Sequence, residues 1–92
     1  MFANRAEKNE KETEVTIRGT VEPQDWDAED KVVAVALLTD EGNRYEIERR
    51  GLGRILLRYL NAEVEVTGTV HNPPTALNPM LRVLDFTRLS RR

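Results

Sequence analysis

Ninety-two residues, 39% of them hydrophobic and 33% charged, are expected to make one domain with a single modest core. No apolar run approaches the roughly 18 residues that span a bilayer. The absence of cysteine excludes a disulfide framework, a thiolate nucleophile and a thiolate metal site. The net charge of −2 is unevenly spread: positions 14–48 sum to −7, positions 49–92 to +5 and positions 1–13 to zero. Opposite halves can neutralise each other within the fold or between copies.

Positions 1–13 are polar, charged and without period, which predicts a mobile tail with Phe2 its one large apolar residue. They contain no apolar h-region and no small-residue cleavage site, so the expected location is cytoplasmic. From Glu14 an alternation begins, with Val15, Ile17, Gly19 and Val21 on one face, and it predicts a first strand that Pro23 ends. PQDWDAED (23–30) reads as a polar loop. KVVAVALLT (31–39) is a nearly continuous apolar run, expected to be a strand covered in part on both faces. DEGN (40–43) is a hairpin turn in which Gly42 and Asn43 tolerate positive φ, and positions 44–48 form a third strand with Tyr45 and Ile47 inward.

The stretch RGLGRILLRYLNAEVEVTGTV (50–70) joins a short helix to a strand. Leu52, Ile55, Leu56, Tyr59 and Leu60 recur at helical spacing as one apolar stripe, and Asn61 is a plausible left-handed stop. Two to three turns are marginal in isolation, so the stripe must dock on something. The next strand alternates Val64, Val66, Gly68 and Val70 with Glu63, Glu65, Thr67 and Thr69. Its EVEVTGTV repeats five of the eight residues of EVTIRGTV (14–21), including an inward glycine where a small barrel bends or admits another backbone. HNPPTALNPM (71–80) is a proline-fixed loop. LRVLDFTRL (81–89) is a last strand that needs a bulge to bring Val83 and Phe86 to the same side.

The order strand, strand, strand, helix, strand, strand resembles the OB-fold, the mainly β, five-stranded Greek-key barrel with one short helix between strands 3 and 4. Its carriers are EVTIRGTV, the KVVAVALLTDEGNRYEIE hairpin, GRILLRYLN, EVEVTGTV and LRVLDFTRL, over 14–89, leaving 90–92 as a polar end. The pairing of V-x-V-T-G-T-V with a closing strand ending in Phe86 is similar to small stand-alone bacterial OB domains. An SH3-like barrel is the other fold considered, and the helix favours the OB order.

The resemblance implies a binding face on strands 2 and 3, flanked by loops 22–30 and 71–80, with single-stranded nucleic acid as ligand. Trp26, Arg44, Tyr45 and His71 are the residues there with suitable chemistry. Trp26 is either a stacking platform or a lid over the barrel mouth, and alternation sends Tyr45 toward the core. Asp25, Asp27, Glu29, Asp30, Asp40, Glu41, Glu46 and Glu48 make that face acidic and unfavourable to phosphate. Arg50, Arg54 and Arg58 lie at helical spacing with Arg49 before them. They form either a basic patch for anions and acidic partners or a solvated helix face paired with the acidic half.

No metal or cofactor site is expected. His71 is a lone histidine, and D-W-D-A-E-D lacks the glycine and distal glutamate of a calcium loop. No catalytic constellation is present, since the only serine is Ser90 and His71 has no evident nucleophile to serve. The sequence therefore predicts a non-catalytic binding module, either for single-stranded nucleic acid or for a protein. A protein would meet the acidic face of strands 2 and 3 or the arginine stripe. The chain is expected to be a monomer open to weak, salt-sensitive self-association.

Overall fold

The computed structural model describes residues 13–72 and 77–89. The tail reading of 1–12, the end 90–92 and the tandem Pro73 and Pro74 lie outside those residues. Five strands close into a barrel: β1 (Thr13–Trp26), β2 (Val32–Leu38), β3 (Arg44–Ile47), β4 (Glu63–His71) and β5 (Met80–Arg88). They stand in the order β1-β2-β3-β5-β4, with β4 pairing back onto β1. Only the β3–β5 contact is parallel. Between β3 and β4 lies helix α1 (Leu52–Ile55), continued by a 3₁₀ turn over Leu56–Tyr59. This is the five-stranded barrel with an intervening short helix that the sequence order predicts. Among the described residues no helix is long and apolar enough to cross a membrane.

The alternating residues supply the core. Val21, Val35, Leu37, Ile47, Leu56, Val64, Val66, Leu81 and Val83 form one buried cluster, each large aliphatic side chain worth about 1.5–3 kcal/mol on removal from water. Strand β1 serves two ladders. Thr13–Thr20 pairs with β4, Thr20–Trp26 pairs with β2, and Thr20 is shared. The crossover requires a close approach, since a Cβ on Gly19 would stand 2.6 Å from the Leu38 carbonyl oxygen. Gly68 is tighter still, since a Cβ there would collide with the Arg82 carbonyl oxygen. Here the β4–β5 register shifts: Thr67 faces Asp85 and Gly68 faces Val83, leaving Leu84 as the extra residue. The expected bulge thus turns both Val83 and Phe86 to the core side, where Phe86 meets Tyr59 edge-on at 5.3 Å, and Leu84 is left exposed.

Three expectations need correction. Pro23 does not end β1: it pairs with Val35, and the strand continues to Trp26 through register shifts on either side of Asp25. Beyond Thr20 the β4 ladder has stopped, so a residue without an N–H is tolerated on that free edge. The helix is four α residues followed by four 3₁₀ residues, and the tighter period takes Ile55 off the inward stripe to 40% exposure while Leu56 is fully buried. In the hairpin, Gly42 takes the positive φ and Asn43 does not; instead the Asn43 N–H donates to Thr39 Oγ1 at 3.1 Å. Asn61, with φ of 68°, stops the 3₁₀ turn in the left-handed conformation expected of it.

Candidate functional site

On the outer face of β1, β2 and β3, Arg44 is fully engaged. Its Nε donates to Gln24 Oε1 at 3.0 Å, Nη1 to Glu22 Oε1 at 3.1 Å and Nη2 to the Pro23 carbonyl at 3.1 Å. Gln24 Nε2 in turn donates to Glu46 Oε2 at 3.3 Å. This layer covers Ala36, which lies between Glu22 and Glu46 in the register and is wholly buried. Arg44 therefore neutralises its own sheet, with three of its five N–H donors held by Glu22, Gln24 and Pro23.

The remaining residues expected with Arg44 are dispersed. Tyr45 turns inward and packs on the core, as alternation requires. His71 is the last residue of β4 and not part of a loop; it is separated from β3 by β5, in a row that runs His71, Met80, Glu46. Its Nδ1 is buried without a partner, as is Thr69 Oγ1 two residues earlier on the same face. Trp26 closes β1 opposite Val32 and is 51% exposed. The acids around it have local duties: Asp27 Oδ1 accepts from the N–H groups of Glu29 and Lys31 at 2.8 and 3.0 Å. Asp25 Oδ1 accepts from the Trp26 N–H at 2.9 Å. These are turn-forming carboxylates.

The arginines near α1 differ from one another. Arg50 precedes the helix and lies 3.8 Å from Glu48, whose other oxygen accepts from Arg82 at 2.9 Å. Arg49 donates only to the Val33 carbonyl, at 3.4 Å, and the side chains of Arg54 and Arg58 make no polar contact among the described residues. Because the helical period changes after Ile55, the expected 50–54–58 stripe is not continuous, and the pair that converges is Arg49 with Arg54. They flank a groove of about 550 Å³ floored by Val32, Val33 and Leu57.

Backbone contact fixes this groove. Gly53 presses against the backbone just after β3, where a Cβ would collide with the Glu48 carbonyl oxygen, and its N–H donates to the Arg50 carbonyl at 2.9 Å. Arg49 also borders a second depression of about 420 Å³, whose lining includes Gln24, Asp25, Ala34, Glu46 and Met80. Trp26 adjoins the first groove through the register, since residues directly opposite each other in a ladder project to the same face. The surface thus combines two guanidinium groups without an acidic partner among the described residues, an apolar floor and an exposed indole. Sequence reasoning picked out Arg49, Arg54 and Trp26 but missed Val32, Val33 and Leu57. The visible signal was Leu57, an apolar residue off the helical stripe.

Comparison of the chain with protein-family models, curated proteins and solved structures finds no match.

Proposed function

We propose that this chain is a cytoplasmic, non-catalytic binding module of the OB type that takes up single-stranded nucleic acid weakly. Its phosphate-binding surface is the groove between Arg49 and Arg54, with Trp26 beside it, instead of Arg44 on the outer face of β1–β3. The carrying observation is that these two arginines face one groove without an acidic partner among the described residues, whereas Arg44 is held by Glu22 and Gln24. Guanidinium forks suit phosphate oxygens, and an exposed indole suits an unstacked base. Oligonucleotide titration across salt concentrations tests this. The expected log–log slope is shallow, about −1.4 for two phosphates neutralised on a single strand. The double variant Arg49→Ala, Arg54→Ala should lose binding; unchanged affinity in that variant would overturn the reading.

A second reading is supported by the apolar floor. Val32, Val33 and Leu57 beside Trp26 and two arginines have the composition of a protein-interface anchor site, for a partner segment carrying acidic and apolar side chains. Absence of oligonucleotide binding at low salt would move the assignment to such a partner. The acidic loop beside Trp26 also makes a second copy of the chain complementary to the groove, and a mass that stays monomeric at high concentration and low salt would exclude that version.

A further inference from the structure

The two depressions that share Arg49 differ in chemistry. One offers guanidinium donors over aliphatic side chains, the other carboxylate and amide acceptors around Ala34 and Met80. A nucleotide has the same polarity, with an anionic phosphate at one end and a flat base carrying hydrogen-bond donors at the other. Building on the nucleic-acid reading above, we infer that the second depression is a base pocket selective for guanine, with Glu46 the residue that reads it. The phosphate of the same nucleotide lies on Arg49 and Arg54.

Glu46 is half-buried on β3, with Ala36 beside it on β2 and Met80 beside it on β5. One carboxylate oxygen, Oε2, accepts from Gln24 at 3.3 Å, a long bond, and Oε1 has no partner among the described residues. Gln24 is oriented in turn by Arg44, which keeps the amide nitrogen toward Glu46. The acceptor is therefore positioned before a ligand arrives. Among the common bases only guanine presents two adjacent donors on its Watson–Crick edge, N1–H and the 2-amino group, and these match the two oxygens of a carboxylate. Thymine and uracil present one N–H between two carbonyl oxygens, which a carboxylate repels. The volume of about 420 Å³ accommodates one base, and Met80 supplies a polarizable surface for its face. The acidity that disfavours a phosphate in this pocket is what favours guanine's donor edge.

The test compares a thymidine pentanucleotide with the same strand carrying guanine, or hypoxanthine in its place, at the centre. Binding is followed at low salt by amide shifts of labelled protein. The expected result is roughly tenfold tighter binding of the guanine strand, the scale of a good bidentate contact, with hypoxanthine intermediate because it lacks the 2-amino group. Glu46→Gln keeps the shape and the bond to Gln24 and should remove the preference while retaining binding of the thymidine strand. Equal affinity for both strands with shifts at Arg49 and Arg54 would overturn the guanine pocket and leave the arginine groove standing. A preference that survives Glu46→Gln would also overturn it, and failure of every strand to bind would remove both readings.

Discussion

The outer face of β1–β3 and the arginine end of the barrel carry the same kind of cation in opposite states. On the sheet face Arg44 makes three bonds to Gln24, Glu22 and Pro23, all within 3.1 Å. At the other end Arg49 has one long bond to a backbone carbonyl, and the side chain of Arg54 has no polar contact among the described residues. A cation bound within its own sheet contributes to the fold; a cation left over a groove is available to a ligand. Local composition misleads here, because Arg44, which reads as a cation facing outward from an acidic sheet, is held by Glu22, Gln24 and the Pro23 carbonyl.

Substitutions should break this comparison in graded ways. Leu56→Ala removes a fully buried side chain beneath the 3₁₀ turn and is expected to destabilise the fold by about 4 kcal/mol, measured by urea denaturation. Gly53→Ala forces a methyl group against the Glu48 carbonyl and should cost about 3 kcal/mol while shifting Arg54 away from Arg49, so that any residual folded protein binds less well. Arg44→Ala should cost about 1 kcal/mol, given a pair only two-thirds buried, and leave affinity for a thymidine strand, which does not use the Glu46 pocket, unchanged. Arg49→Ala and Arg54→Ala are the converse: stability within about 0.5 kcal/mol of the parent, and a salt slope reduced by about 0.7 for each arginine removed. If Arg44→Ala weakened binding as much as Arg54→Ala, the two regions would not differ in the way described.

The barrel was largely legible because it rests on period. Alternation in 14–21 and 63–70 exposed the two glycines, and Leu84 had to bulge for Val83 and Phe86 to share a face. Where the sequence misled, a local rule met a tertiary circumstance. Pro23 reads as a strand breaker, yet it sits on an edge that requires no donor. Ile55 belongs to a 3.6-residue stripe that a 3₁₀ turn cuts short. The site was harder to read. Trp26, Arg49 and Arg54 were visible as residues, but which arginine is free depends on side chains distant in sequence: Glu22 and Gln24 reach Arg44 across some 20 positions. Val32, Val33 and Leu57 become a floor only when the 3₁₀ turn over Leu56–Tyr59 docks against β2.

The most direct measurement is an amide chemical-shift titration of labelled protein with a mixed-sequence single-stranded oligonucleotide at low salt. Shifts centred on Trp26, Val32, Val33, Arg49, Arg54 and Leu57, fading as salt is raised, are the predicted result. Shifts centred instead on Arg44 and its neighbours on β2 and β3, with the groove residues unmoved, would contradict the account.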